Sequence, residues 1–265
     1  MKLATRTVEK VWGKRDLPPP FANDGHEPVG EIWFEPPPEL PQVLVKYLFT
    51  SEKLSVQVHP SDAQAPAGER GKEECWLVLD AEPGATLAIG FKQPITPEAM
   101  REAALDGSIE NALAWHPVKA GDFFYLPAGT VHAIGPGLTL VEVQQNSDIT
   151  YRLFDYGRPR ELHLDEGIAV AKGEPYPAGC HRSIAPGTSA VLVDGPFFRF
   201  SDVAGQPGPD ARALHAGAVQ VLPVEGSVTI GGETIAAGEC GLAGEIGAVD
   251  FTASRRCLLV SAFSA

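Results

Sequence analysis

The sequence contains few cysteines, no long apolar run and a shortage of basic residues. Its 4 cysteines lie far apart and form no CxxC pair, which argues against a disulfide framework or a cysteine-based zinc site and predicts reduced, buried thiols. No segment approaches the roughly 18 apolar residues of a membrane span. Acidic residues outnumber basic ones, 34 to 21. Because proteins that bind a phosphate backbone are normally basic, we expect no nucleic-acid partner.

The N-terminal segment is mixed and charged, without the apolar centre of a secretory signal. Together with the reduced thiols, this predicts a cytoplasmic protein that does not bind a membrane. A length of 265 residues suits one large or two small domains. We expect a monomer or a homodimer.

Glycine and proline are abundant instead, with 28 and 24 residues. They separate short runs rich in Val, Ile, Leu and Phe, which predicts an all-β barrel or sandwich. One segment departs from this pattern. Thr96 can cap a helix that Gly107 ends, and Ser108 can cap a second one that runs to about Trp115. We interpret residues 96–116 as a helical insertion between barrel strands.

The chain changes character after about residue 160, where functional polar groups become sparse. The Gly231–Gly232 pair suits a hairpin between two short strands. We therefore predict two domains, residues 1–163 with the helical insertion and residues 164–265 as a second small β domain.

A polar stripe on one predicted strand suggests a metal site. In SVQVHP, alternate residues face the same way, so Ser55, Gln57 and His59 share one face while Val56 and Val58 face the other. Three polar groups on one side of a buried strand are costly unless a partner satisfies them. A bound metal ion is such a partner.

Two further motifs complete the pattern. Glu73 and Glu74 open an apolar strand and must face opposite ways, so we expect one of them to be exposed, and His132 follows the turn in YLPAGTVH. Two ligands on one strand, an acid about fifteen residues on and a histidine after P-x-G-x-x-H are typical of metal-binding cupin barrels. The predicted site is Gln57, His59, Glu74 and His132. This donor set suits zinc, although iron, manganese or cobalt could also bind.

The motifs LSVQVHPSDA, GKEECW, YLPAGTVHAIG and VEVQQNSDITYRLFDYGR, with GEIWFE at 30–35, closely resemble those of type I mannose-6-phosphate isomerases. The resemblance runs from about residue 29 to 163. It implies a cupin (double-stranded β-helix, or jelly-roll) barrel followed by a second, metal-free cupin-like β domain. The chain resembles the short bacterial form of the family.

The resemblance also implies roles for residues. One zinc ion per chain would be held by Gln57, His59, Glu74 and His132. We predict a catalytic group of Arg152, Glu142 and Lys72. The remaining polar residues that match the family's pocket are predicted substrate contacts: Lys46, Ser55, Asp148 and Arg158. Arg158 stands where some members have a lysine.

The residues fit the chemistry that the resemblance implies. Interconverting mannose 6-phosphate and fructose 6-phosphate moves a proton between adjacent carbons through an enediol, which requires an acid or base, positive charge for the oxyanion and a cationic anchor for the phosphate. In LTLVEVQQ, Glu142 can point into the cavity of His132. Arg152, on an apolar strand, needs an anionic partner, for which Glu142, Asp148 or water could serve.

Two other functions remain open at the level of sequence. A cupin oxygenase could bind iron at the same four ligands, and a sugar-binding cupin could lack catalysis altogether. Five other histidines carry no ligand spacing, and we assign them structural or surface roles: His26, His116, His163, His181 and His215.

Overall fold

The computed structural model describes residues 1–23 and 25–263, so Ser264 and Ala265, at the end of the predicted second domain, lie outside the described residues. The strands are β1 (Thr5–Lys14), β2 (Val29–Phe34), β3 (Val43–Thr50), β4 (Val56–Val58), β5 (Glu74–Ala81), β6 (Thr86–Phe91), β7 (Leu113–Pro117), β8 (Asp122–Leu126), β9 (His132–Ile134), β10 (Leu138–Gln145), β11 (Tyr151–Phe154), β12 (His181–Ser183), β13 (Ala190–Asp194), β14 (Phe198–Ala204), β15 (Val219–Ile230), β16 (Glu233–Ala236), β17 (Gly241–Ala243), β18 (Val249–Asp250) and β19 (Ser254–Ala262). The α-helices are α1 (Pro97–Asp106), α2 (Ile109–Ala112), α3 (Leu164–Val170) and α4 (Pro209–Leu214).

Two antiparallel sheets face each other and form the predicted all-β barrel. The first has the strand order β1-β2-β3-β10-β5-β8-β12, and the second has β11-β4-β9-β6-β7. Their facing sides enclose an apolar core, to which the first sheet contributes Trp76 and Leu140 and the second contributes Leu87 and Ile89. The short strands β4 and β9 are therefore held beside β5 and β10 by the closure of the barrel.

The central strands β3 and β10 of the first sheet are buried on both faces, because a third sheet covers its outer side. Along β3, Val45, Tyr47 and Phe49 pack in a core that includes residues of the third sheet. The alternate residues Lys46 and Leu48 point the other way, into the barrel. A lysine thus lies in a strand whose residues are all buried.

The third sheet has the order β13-β14-β19-β15-β16, with β17 and β18 also paired to β15. The hairpin predicted at the glycine pair is confirmed between β15 and β16. Gly231 and Gly232 have φ angles of 58° and 84°, and two successive left-handed residues form the turn that matches the twist of a hairpin.

The helical insertion is confirmed at its start, and its second helix is shorter than predicted. Thr96 caps α1 by accepting a hydrogen bond from Ala99 N at 3.3 Å, and Gly107 ends α1 with a φ of 83°. The second helix ends at Ala112, not near Trp115. Residues 113–117 instead form β7, because they pair with β6 and cover its edge.

Residues just after the predicted domain boundary contact the first two sheets. The α3 helix packs on β11, where Gly167 lies so close to Leu153 that a Cβ would stand 2.5 Å from its Cδ2 atom. The β12 strand pairs with β8 in the first sheet. The third sheet begins only at Ala190, and the division at residue 163 stays a prediction.

All four cysteines are free thiols. Cys75, Cys240 and Cys257 are buried as predicted, whereas Cys180 is half-buried. Among the described helices, none combines the length and the apolarity needed to cross a bilayer.

His215 lies buried between two strands of the third sheet, a structural position that agrees with its predicted role. Its ring nitrogens are 2.9 Å from Ser201 Oγ and 2.8 Å from Ser261 Oγ. Burial, and then the charge of Arg199, lower the pKa of His215 to about 4 from an ordinary value of 6.5. The folded protein therefore holds this histidine neutral in mild acid, where the unfolded chain binds a proton.

We predict that His215 causes part of the acid sensitivity of the fold. Its contribution to stability is full above pH 6.5 and is lost as the pH falls towards about 4, because only the unfolded state gains the proton. Between about pH 7.5 and 5 the loss is on the order of 2 kcal/mol. Over this pH range, the free energy of unfolding measured in urea should change correspondingly less for His215→Gln than for the wild-type protein. The exposed His26→Gln variant is the control, and an equal change in all three proteins would contradict the prediction.

Candidate metal centre and adjoining pocket

Three of the four predicted metal ligands meet at the ends of neighbouring strands. His59 follows β4, Glu74 begins β5 and His132 begins β9, and all three are buried. His59 Nε2 lies 3.6 Å from Glu74 Oε2, and His132 Nε2 lies 3.4 Å from Glu74 Oε1. One donor atom from each residue lies within 4.8 Å of the others, a spacing that could hold a metal ion.

Both histidines direct their Nε2 atom towards the Glu74 carboxylate. The Nδ1 atom of His59 lies 2.8 Å from Ile149 O, and that of His132 lies 2.9 Å from Thr130 O. A carbonyl oxygen only accepts, so each Nδ1 carries the proton and each Nε2 keeps its lone pair. Burial lowers the pKa of His59 well below its usual range and that of His132 to about 4. Both rings are therefore neutral, as metal-binding imidazoles must be.

Glu74 supplies the negative charge of the site. Burial and the nearby charge of Glu142 raise its pKa. Neither carboxylate oxygen has a hydrogen-bond partner of good geometry among the described residues, although Lys72 Nζ stands 3.1 Å from Oε2. A buried carboxylate with unsatisfied oxygens is costly, and a divalent cation relieves that cost. The residues present therefore fit a metal ion.

Gln57 lies beside His132 in the register of β4 and β9. Its amide nitrogen is 3.3 Å from His132 Nε2, and Ser55 Oγ donates to its amide oxygen at 3.1 Å. A metal ligand must present the amide oxygen instead, which a half-turn of the side-chain amide achieves. Ser55 tolerates the exchange, because a hydroxyl both donates and accepts. The fourth ligand thus stays a prediction that the position of Gln57 supports.

A line of buried charges leads away from this group. Lys46, Glu142 and Trp76 lie side by side on β3, β10 and β5. Lys46 Nζ is 3.0 Å from Glu142 Oε1, and Trp76 donates to the other oxygen of Glu142 at 3.1 Å. Lys72 stands 3.7 Å from Glu142 and 3.1 Å from Glu74. Lysines and carboxylates therefore alternate up to the metal-binding group.

The alternation keeps Lys46 and Glu142 ionised inside the barrel. Burial lowers the pKa of Lys46, but the charges of Glu142 and Glu31 outweigh it and the pKa lies above its usual range. Burial likewise raises the pKa of Glu142, and Lys46 and Lys72 bring it below the usual value. Lys46 is therefore a fixed positive charge and Glu142 a carboxylate able to accept a proton.

A cavity of about 250 Å³ opens onto this line of charges. Seven of the predicted site residues line it: Lys46, Ser55, Gln57, Lys72, Glu142, Asp148 and Arg152. Its charged lining consists of Lys10, Glu31, Lys46, Lys72, Glu142, Asp148, Arg152 and Arg160.

Arg152 faces the cavity, but its partner is not the one expected. Its Nη1 donates to the carbonyl oxygen of Glu161 at 2.7 Å, and its buried Nε has no hydrogen-bond partner. Within the described residues, no carboxylate lies within ion-pair distance of its guanidinium. The expectation that Glu142 or Asp148 pairs with it in the resting protein is therefore wrong. Glu142 and Asp148 line the same cavity as Arg152, but Glu142 pairs with Lys46 and Lys72 instead.

Two other expectations need adjustment. Glu73 is half-buried, not exposed, because its carboxylate accepts from Tyr125 OH and from Ala128 N. Arg158 pairs with Asp155 and is absent from the cavity lining in the described part of the chain. Arg160, which sequence reasoning missed, lines the cavity instead.

Glu31 was also missed as a site residue, although its motif was noticed. It lies between Lys46 and Lys10, and Trp33 donates to it. The pattern G-E-x-W places both side chains on one face of β2. That alternation was the signal that could have identified Glu31.

We predict that the histidine–glutamate group binds a divalent metal and that the metal stabilises the fold. Zinc should raise the thermal unfolding temperature of the wild-type protein, since a ligand of the folded state stabilises it by mass action. In His132→Ala, measured zinc content should fall below a tenth of wild type and the thermal shift should vanish. The control variant His26→Ala, which changes an exposed histidine, should keep the wild-type zinc content and the thermal shift. Stoichiometric zinc in His132→Ala would contradict the assignment.

Comparison with known proteins identifies relatives of this chain. No protein-family model matches it. It is 39% identical over 206 residues to a mannose-6-phosphate isomerase of Streptococcus mutans, which covers 73% of this chain and 65% of the relative. It is 44% identical over 168 residues to mannose-6-phosphate isomerase ManA of Bacillus subtilis, covering 59% of this chain and 53% of the relative. The matches thus span less than two thirds of the length of these curated relatives.

The fold agrees with that relationship. The crystal structure of mannose 6-phosphate isomerase from Bacillus subtilis matches with a TM-score of 0.78 at 24% identity, over 98% of both chains. The structure of a protein from Archaeoglobus fulgidus, described as a putative mannosephosphate isomerase, matches with a TM-score of 0.73 at 19% identity, over 99% of this chain and 97% of that one. The predicted cupin fold is confirmed. Sequence identity over part of their length and a shared fold thus make the mannose-6-phosphate isomerases the proteins that this chain resembles, as its motifs indicated.

Proposed function

We propose that the chain is an aldose–ketose isomerase that interconverts mannose 6-phosphate and fructose 6-phosphate. The observation that carries this proposal is a cavity lined by buried cations, one of which, Lys72, also contacts His59 and Glu74 of the metal-binding group. Relatives at 39% and 44% identity bear the name of this activity. A small phosphorylated sugar is thus the proposed partner.

We assign the metal as zinc, held by Gln57, His59, Glu74 and His132. Two neutral imidazoles, one carboxylate and one amide oxygen suit zinc. When bound, the ion supplies Lewis acidity that polarises the substrate oxygen atoms. Hydrogen bonds from the two imidazole Nδ1 atoms to backbone carbonyls fix the ligand rings beforehand.

Glu142 is the proposed group that moves the proton between the adjacent sugar carbons. It lines the cavity, stays ionised between Lys46 and Lys72, and its Oε1 has no hydrogen bond of good geometry. Trp76 holds the other oxygen at 3.1 Å. The carboxylate is thus oriented with one oxygen directed towards the lysines and the cavity.

Lys72 and Arg152 are the proposed stabilisers of the negative charge that develops on the enediolate. Both line the cavity, and donors held in place before the reaction stabilise an oxyanion most effectively. Lys46 supports them indirectly by holding Glu142. Ser55 and Asp148, in the same lining, are proposed to bind sugar hydroxyls.

An oxygenase with iron at the same ligands would need no phosphate-binding cations. The lysines and arginines around the cavity therefore favour the isomerase. Four free thiols and a phosphorylated substrate suit the cytoplasm, which we propose as the site of action.

We predict that the zinc-loaded protein converts mannose 6-phosphate to fructose 6-phosphate and that free mannose is a much poorer substrate. The phosphate does not react, but its binding energy positions the reacting carbons. A coupled assay on both sugars, before and after chelation, measures this. Absence of any turnover in zinc-loaded protein would overturn the proposed function. Equal kcat/KM for the two sugars would show that the cations serve another purpose.

A second prediction separates Arg152 from the metal ligands. Arg152→Ala should keep its zinc content and fold, yet lose turnover roughly a hundredfold, the scale for removing one oxyanion-stabilising donor. Arg152→Lys should recover only part of the rate, because a point charge does not reproduce the planar guanidinium. The surface variant Arg101→Ala is the control. An unchanged kcat with a raised KM would make Arg152 a binding contact instead.

A further inference from the structure

We propose that Arg160 is the anchor for the phosphate group of the substrate. The proposal rests on the isomerase function proposed above and adds the residue that selects a phosphorylated sugar. It concerns a position that neither the strand pattern nor the motif match indicated.

Arg160 is a cation held in place at the cavity wall. Its Nε and Nη2 atoms donate to the two oxygens of Asp155, at 2.5 and 2.7 Å, and Asp155 is only 2% exposed. This side-on pairing leaves Nη1 outside the ion pair, and Arg160 lines the cavity. A guanidinium fixed in this way loses little conformational entropy when it binds an anion.

Arg152 faces the same cavity and lacks an anion. Its buried Nε has no hydrogen-bond partner in the described part of the protein. Burial, and then the charge of Arg160, lower its pKa, so the two guanidiniums disfavour each other. Two mutually repelling cations in one cavity lining require an anionic substrate, and with Arg152 assigned to the reacting end of the sugar, Arg160 is left for the phosphate dianion.

Arg158 is a poorer candidate, although the family comparison places it in the pocket. Its Nη2 donates to Lys53 O at 2.8 Å and its Nε to Asp155 at 3.0 Å, while Nη1 is 3.7 Å from Glu52. Its donors are thus committed to residues away from the cavity. Arg158 and Arg160 share Asp155, so one carboxylate positions both side chains, but only Arg160 meets the cavity.

The test compares Arg160→Ala with Arg158→Ala and with the surface variant Arg101→Ala. Losing one charge-assisted contact should raise the KM of Arg160→Ala for mannose 6-phosphate by roughly tenfold or more, with kcat changed much less. Its KM for free mannose should not change, and inhibition by inorganic phosphate should weaken in parallel. Arg160→Lys should recover part of the affinity. Arg158→Ala should show the smaller effect of the two, and Arg101→Ala none.

Calorimetric binding of mannose 6-phosphate separates this inference from the isomerase function. Binding that depends on Arg160 in a protein without isomerase activity would support the anchor and reject the function. Isomerase activity with normal KM and normal phosphate inhibition in folded Arg160→Ala would reject the anchor and keep the function. A larger effect of Arg158→Ala than of Arg160→Ala would also overturn the proposal. Circular dichroism of each variant checks that the fold is intact.

Discussion

The pairing of Lys46 with Glu142 across two adjacent strands is the constraint on which the site depends. Both side chains are buried, and a buried charge without its partner costs several kcal/mol. The register of β3 and β10 places them opposite each other, and Lys72 extends the alternation to Glu74. Each charge is thus tolerated because its neighbours are present, so the barrel interior can carry a polar site without losing its core.

The third sheet supports the site without forming part of it. No described residue that follows Arg160 in the sequence lines the cavity. Strands β3 and β10 carry Lys46 and Glu142 on one face and Tyr47 and Val141 on the other, and the second face packs in a core shared with the third sheet. Removing this cover would expose a broad apolar surface. The C-terminal half therefore supports from behind the strands that carry Lys46 and Glu142, and its sparse polar groups are what such a role requires.

Sequence reasoning succeeded where a repeating local rule applies. Alternation along a strand placed Gln57 and His59 on one face and Glu142 inside the barrel, and turn and cap residues located the hairpin and α1. It failed where tertiary contacts decide. The 113–117 segment is a strand only because β6 offers an edge. Arg158 and Arg160 lie in a segment without strand periodicity and both pair with Asp155, so only the lining of the folded cavity shows which one reaches it.

The position of Lys72 links the metal site to the substrate site. Its ammonium lies 3.3 Å from His59 Nε2 and 3.1 Å from Glu74 Oε2, the two atoms that a metal ion would use. One imidazole lone pair cannot serve both a proton donor and a metal. A bound metal would therefore take His59 from Lys72, which would keep Glu74, Glu142 at 3.7 Å and any anion in the cavity as its partners. The lysine that compensates the buried Glu74 also lines the cavity, so in the proposed isomerase one ammonium group would serve both the metal-binding carboxylate and the developing oxyanion.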